Sequence, residues 1–569
     1  MLPNMGATTQ PTRRRFLQTA AAGLATWTSG CSAKQAPPAE PDDPADLIIV
    51  GGQVLPMHRL HPTCEALAAR GGEVVALGSR AKIEALRGRA TRVIDLAGGV
   101  AIPGLVDAHG HLVNLGASME AVELRGASSP QEVVARLRKE APPDGWIVGR
   151  GWDQNLWEPA KMPTHQILTE AFPDRPVWLT RIDGHAGWAN EAVLRMSGLT
   201  PEVEDPEGGE FLRDPDGALT GVLIDNAMDR VSPPPASRDA LIRQITAAQQ
   251  RALSLGLTGV HEMGVSQVRH AVLKKLAADG ALHMRIHAYA DRDWFEAALI
   301  EQRPAEIRPA DRLTLHGAKL YADGALGSRG AALRGPYSDR AGHSGKMLIS
   351  RTQLTALAER SLTQGWQLAT HAIGDRAIRT VLDAYEAALR RTPDRSHRYR
   401  IEHCQIINTE DISRFARLGV IASMQPTHAT SDMAWVPARV GEGRLAGAYA
   451  WKRFLGVGAH VPFGSDFPVE SPDPRLGLLA AVTRQRPDGS PSGGWLPDQR
   501  VSLTQALRSF TTEAAFAVKR EAHLGALAPG MQADVTCLGA DLREVAPLAL
   551  PEVPITATIV GGQVAYQNT

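Results

Sequence analysis

The stretch Gly104-Leu105-Val106-Asp107-Ala108-His109-Gly110-His111 decides the fold. Its apolar half predicts a buried strand. Its last residues set two histidines two positions apart, where the side chains of a strand share one face, with a glycine between them leaving room. Working outward, eight β-like apolar runs occur: 101–108 itself, then 257–263, 284–290, 313–321, 367–371, 399–403, 419–424 and 460–464. Most are followed by helical patterns. Residues 238–255 carry Leu241, Ile245, Ala248, Ala252 and Leu255 at near-helical spacing, and 376–390 carry Ile378, Val381, Leu382, Tyr385 and Leu389. Eight alternating strand and helix units predict an α/β fold, a (β/α)8 TIM barrel. The gap 112–235 is too long for a loop and predicts an insertion after the first barrel strand, with structure of its own.

The two ends of the chain share a hexapeptide. Ile49-Val50-Gly51-Gly52-Gln53-Val54 recurs as Ile559-Val560-Gly561-Gly562-Gln563-Val564. Each copy reads as strand, Gly-Gly turn and strand, the pattern of a tight hairpin. With Gly71-Gly72-Glu73-Val74-Val75 and Ala533-Asp534-Val535-Thr536 nearby, both termini are expected to build one composite β-sandwich. It would comprise residues 45–98 and 520–569, flanking a barrel domain at 99–519.

At 569 residues the chain is several times the usual domain length of about 150 and can bury a large core. Sixty-one basic residues balance 61 acidic ones, which gives no electrostatic reason to expect nucleic acid or an anionic membrane as a partner. Four cysteines cannot form a disulfide framework in so long a chain. No run reaches the roughly 18 apolar residues of a membrane span. The start of the chain differs: Thr12-Arg13-Arg14-Arg15-Phe16-Leu17 precedes a short apolar stretch, Ala20 to Trp27, and resembles a twin-arginine export signal. Residues 1–44 are expected to be signal and linker, with export to the periplasm. Thr28-Ser29-Gly30-Cys31 resembles a lipoprotein cleavage box without its usual aliphatic first residue, so a lipid anchor at Cys31 is the one membrane attachment expected.

Barrel active sites lie at the C-terminal ends of the strands. Five strand ends deliver chemistry there: His109 and His111, then Lys319, His371, His403, and Asp466 after Phe463-Gly464-Ser465. Each alone fits a buried structural role; together they fit a metal centre. There is no P-loop and no GxSxG elbow, and His261-Glu262 is followed by Val265 where a zinc-protease motif needs histidine. Cys404 points away from His403 and reads as packing.

From about residue 46 onward the chain resembles the amidohydrolase superfamily, most closely the YtcJ-like branch that includes N-substituted formamide deformylase. The resemblance rests on PGLVDAHGHL, GRGWDQNLW, RIDGHAGWAN, AKLYADGALGSRGAAL, THAIGDRAI, RIEHCQI, ASMQPTHA, AYAWKRFL, FGSDFPVE and LAPGMQADV. It implies that His109, His111 and Asp466 bind a buried ion, that His371 and His403 bind a second, and that a carboxylated Lys319 bridges them. One or two divalent ions are implied, zinc foremost, with iron or manganese as alternatives. It further implies hydrolysis of a small-molecule amide, such as an N-acyl or N-formyl amine, by metal-activated hydroxide. Asp466 would serve as general base, returning the proton to the leaving amine. His428 and His185 are further catalytic candidates near the carbonyl, with structural roles as the alternative. Trp152, Asp153, Asn155 and Asp323 are candidates for the substrate pocket, Asp323 alternatively only orienting its loop. The tryptophans at 146, 152, 157, 178 and 188 are expected to fill the insertion's core, to form in part an apolar lid over the metals, or both. A lactone or ester hydrolase on the same site, and a metal-free binding homologue, are the rival readings. The sequence does not fix the oligomeric state, a homodimer being one option.

Overall fold

The computed structural model describes residues 43–394 and 396–568. The expected export signal, Cys31 and nearly all of the linker lie outside the described residues. Seven parallel strands form one curved sheet: β1 (Leu105–Gly110), β2 (Leu257–Val265), β3 (Arg285–Ala290), β4 (Leu313–Tyr321), β5 (Gln367–Ala372), β6 (Arg400–His403) and β7 (Ile421–Ser423), hydrogen-bonded in that order. The run at 460–464 closes the cylinder as an eighth stave. Met424 bridges Phe463 in parallel, Gly464 N donates to Met424 O at 3.1 Å, and Ala108 N donates to Phe463 O at 3.0 Å. The protein is therefore a (β/α)8 barrel.

The expected helices form at Arg238–Ser254 and Asp375–Arg391. Ser237 caps the first by accepting from Ala240 N, and the helix buries Leu241, Ile245, Ala248 and Ala252. The second buries Ile378, Val381, Leu382 and Tyr385. Each such large apolar side chain contributes about 1.5–3 kcal/mol on leaving water, which outweighs the weak intrinsic helicity of segments this short.

Two sequence expectations need correction. The run 101–108 is not one strand. Val100–Pro103 pairs with Val535–Leu538 in the sandwich, Thr536 lying opposite Ile102, and only beyond Gly104 does the chain enter the barrel. Continuous apolarity hid this change of sheet, since both segments are buried. The hexapeptide repeat also adopts two structures. Gly561 and Gly562, both with positive φ, turn a true hairpin between Ile555–Val560 and Gln563–Gln567. Gly51-Gly52 instead forms a corner. Ala45–Val50 is paired on both edges, with Ala66–Arg70 and with Arg87–Asp95, so Gln53–Val54 has no room beside it and joins the other sheet against Val100–Ala101.

The sandwich therefore has a four-stranded and a five-stranded sheet, with Leu47, Ile49, Leu67, Val535, Cys537 and Ile559 packed between them. The insertion after β1 holds a six-stranded mixed sheet from Val122 to Asp225. Trp152, Trp157 and Trp188 fill its core, their ring centroids about 6 Å apart. No helix among the described residues is long and apolar enough to cross a membrane.

Candidate metal centre

Every candidate ligand reaches one mouth of the barrel. His109 is the penultimate residue of β1 and fully buried; His111 lies just past the strand, at the N-cap of helix Leu112–Ser118. Asp466 joins them because Gly464 passes close to β1: a Cβ there would stand 2.5 Å from His109 N. Asp466 N then donates to His109 O at 2.7 Å. Asp466 Oδ1 lies 3.0 Å from His111 Nε2 and 3.5 Å from His109 Nε2, and Asp466 Oδ2 lies 3.9 Å from His428 Nε2. Lys319, buried on β4, places Nζ 3.2 Å from His109 Nε2. The His403 ring centroid is 4.7 Å from that of His109 and 4.6 Å from that of His371.

Two sets of donor atoms lie mutually within 4.8 Å: His109, His111 and Asp466, and His403, His428 and Asp466. His371 stands outside both, its Nε2 3.4 Å from Gly324 O and 3.5 Å from Asp323 Oδ1. His428 Nε2 is buried and faces Asp466, and among the described residues it has no hydrogen-bond partner. His403 (φ 76°) and Asp466 (φ 60°) hold left-handed backbone, strain of the kind that aims side chains at functional sites. Imidazoles plus one carboxylate form a donor set suited to a divalent ion such as zinc. These residues fit the group.

The electrostatics favour ligands in their binding forms. Burial, then Lys319, lowers the His109 pKa to about 4. Burial likewise takes His371 and His403 well below the ordinary histidine value, so these rings are neutral and carry free lone pairs. Burial opposes ionisation of Asp466, but His109, His111 and His403 outweigh it and hold the carboxyl well below its usual range.

A second layer of buried groups went unnoticed in the sequence. Glu402 Oε2 lies 2.6 Å from His109 Nδ1, and Arg400 Nε donates to Glu402 Oε1 at 2.8 Å. This carboxylate–imidazole pair fixes the tautomer of His109, its Nε2 facing Lys319 Nζ and Asp466 Oδ1. Asp107 accepts from Ser465 Oγ at 2.6 Å and from His109 N at 3.0 Å, tying the closing stave to β1. Glu262 accepts from Leu112 N and from Val113 N, and so caps the helix behind His111. Asp225, in left-handed backbone at φ 48°, accepts from His185 Nδ1 at 2.7 Å. Burial lowers the His185 pKa, and Asp225 more than reverses this. The His185 ring, from the insertion, stands 5.1 Å from that of His371. The spacing of Arg400 and Glu402, two apart on one strand face, was the available signal for the inner layer.

A cavity of 1020 Å³ opens above the centre, walled by the rim on one side and the insertion on the other. Of the four expected pocket residues only Asp153 lines it. Trp152 is wholly buried, donating from Nε1 to Leu179 O, and serves the insertion's core rather than a lid. Asn155 accepts from Arg439. Asp323 accepts from the amides of Ala332, Ile373 and Gly374 and so orders the loop after β4. Cys404 is buried, with its Sγ against Ile401 O.

A family model described as "Amidohydrolase family" matches residues 92–566. The chain belongs to the amidohydrolase family. Within it, the chain is similar to YtcJ of Bacillus subtilis, with 31% identity over 91% of this chain and 99% of that protein. It is 27% identical to the N-substituted formamide deformylase of Arthrobacter pascens, over 92% and 99% of the two chains. Among solved structures, an uncharacterized metal-dependent hydrolase from Pyrococcus horikoshii superposes with TM-score 0.72 at 29% identity, covering 88% of this chain and 99% of its own. This amidohydrolase is thus of the YtcJ-like branch and of the metal-dependent hydrolases.

Proposed function

We propose that this amidohydrolase is exported and cleaves a non-peptide C–N bond of a small amide. The observation that carries the reading is the position of Asp466, whose two oxygens face His111 on one side and His428 on the other at the floor of the cavity. His109, His111 and Asp466 would hold one ion, and His403 with His371 and His428 a second, with a carboxylated Lys319 between them. When bound, such an ion, zinc foremost, makes water nucleophilic near neutral pH and polarises a carbonyl.

The chain's own residues supply the rest. Asp466 is held ionised, so it can accept the water proton and hand it to the departing nitrogen, a transfer amides require and esters do not. Glu402 keeps His109 in register through Nδ1. His185, backed by Asp225, presents its ring from the insertion beside His371 and is placed to hold the substrate carbonyl or the leaving group. The likeness to a formamide deformylase supports the amide over the ester reading. The test is a panel of N-formyl and N-acyl amines and matching esters, assayed on zinc-loaded protein. Amide turnover that Asp466→Asn abolishes is expected; ester turnover alone would overturn the amide reading. Export by the twin-arginine route, with a lipid on Cys31, rests on the basic and apolar start of the chain. Fractionation and intact mass test it: periplasmic protein carrying a diacylglyceryl mass is expected.

A further inference from the structure

The cavity wall contributed by the insertion carries guanidinium groups of two kinds. Arg181 is neutralised, with Asp153 and Asp183 each at 2.5 Å. Arg150 and Arg125 differ. Among the described residues neither makes an ion pair with a carboxylate. Arg150 gives only Nη2 to Ile182 O at 3.1 Å, and its buried Nε has no acceptor at all. Arg125 gives Nη2 to Pro468 O at 2.6 Å and to Val469 O at 3.2 Å, the two residues that follow Phe467 in the loop bearing Asp466. The two arginines are neighbours: Arg150 lies opposite Glu123 in the sheet, and a Cβ on Gly151 would meet Arg125 N at 2.8 Å. The acids whose charge acts on Arg150 make their hydrogen bonds elsewhere, Asp183 with Arg181, Asp466 with the histidines and Glu123 with Arg125 N. A planar guanidinium left without an anion on a cavity wall is costly unless a ligand completes it.

We propose that Arg150, assisted by Arg125, binds a carboxylate of the substrate, so that the enzyme takes amides carrying an anionic carboxylate on the amine side. This rests on the hydrolase reading above and deepens it. The fork of Arg150 matches a planar carboxylate in two parallel hydrogen bonds, which a lysine cannot reproduce. The carboxylate would set orientation, leaving the scissile carbonyl over the histidines; Arg150 is therefore a specificity residue and not a catalytic one.

The test uses zinc-loaded full-length protein and two amides that differ only in the carboxylate, N-acetylphenylalanine and N-acetylphenethylamine, with their N-formyl counterparts. The wild-type kcat/KM ratio within each pair is expected to favour the acid by about 100-fold, and to fall to near 1 in Arg150→Met. Arg150→Lys keeps the charge and covers the case in which the methionine variant fails to fold; it should lose at least tenfold of the ratio. A wild-type ratio near 1, or a ratio unchanged in either variant, overturns the proposal. If no amide turns over, the hydrolase reading falls separately, and calorimetry with N-acetylphenylalanine decides this one. Binding weakened at least tenfold in Arg150→Met or Arg150→Lys upholds it, and absent or unchanged binding overturns it.

Discussion

The barrel contains two groups of buried histidines, and they differ in what surrounds them. At the rim His109, His111, His403 and His428 gather about Asp466, with His371 beside His403, beneath an open cavity. Nearer the N-terminal ends of the strands, His261, His287 and His316 form a floor of their own, ring centroids 5.4 Å apart from one to the next. The floor is bonded largely within itself, with His261 Nε2 lacking a hydrogen-bond partner among the described residues. Thr314 Oγ1 links His287 Nδ1 at 2.9 Å to His316 Nε2 at 2.8 Å, and Arg400 stands 2.8 Å from His261 Nδ1. Burial lowers the pKa of His109, His371 and His403 at the rim and of all three floor histidines, so neutrality alone does not make a metal site. The carboxylate does: the rim offers Asp466, whereas the floor faces the cations Arg400 and Arg520, which would repel an ion.

The contrast can be broken most forcefully at Asp466. Asp466→Asn should lower kcat by about 10³-fold or more while leaving a folded protein, the range expected when a general acid–base group is lost. Steady-state kinetics and circular dichroism check this. Next comes Glu402→Gln, which removes the charge behind His109 and should weaken metal affinity by about 10–100-fold, read by competition with a chelator. The matching floor variant, His287→Gln, should retain full metal content and lose about 1–3 kcal/mol of stability, because its partner Thr314 is left incompletely bonded. Metal loss in His287→Gln would erase the distinction between the two groups.

A smaller effect is expected in acid. The pKa of His316 falls from an ordinary 6.5 to about 3, chiefly through burial and then Arg520. The unfolded chain therefore binds a proton that the folded chain refuses, and stability drops as pH falls from about 6.5 toward 3. Replacing His316 by leucine should flatten the decline of stability by up to about 1.4 kcal/mol per pH unit over that window, seen in denaturant titrations at several pH values. An unchanged slope would mean the floor is not the titrating element.

What was legible in the sequence was what is periodic or local. Eight apolar runs and the histidines at their C-terminal ends gave the barrel and its rim, because a strand's period of two ties each residue to a face. Residues whose role depends on distant partners were not legible. Glu402 sits next to His403, and simple alternation places them on opposite faces; both reach the centre because His403 turns into left-handed backbone at φ 76°. Asp225 finds His185 forty residues away through the insertion's sheet. The two copies of one hexapeptide show the same limit: identical letters make a hairpin where an edge is free and a corner where both edges are occupied. Arg150 stood in a quoted motif, yet its lack of an anionic partner exists only in three dimensions.

The most direct measurement is anomalous diffraction at the zinc edge from crystals of protein purified without chelator. A peak within bonding distance of His109, His111 and Asp466 is expected, with none at His261, His287 and His316. A peak at the floor, or a rim with no metal in protein that still hydrolyses its amide, would contradict the assignment of the rim as the metal centre.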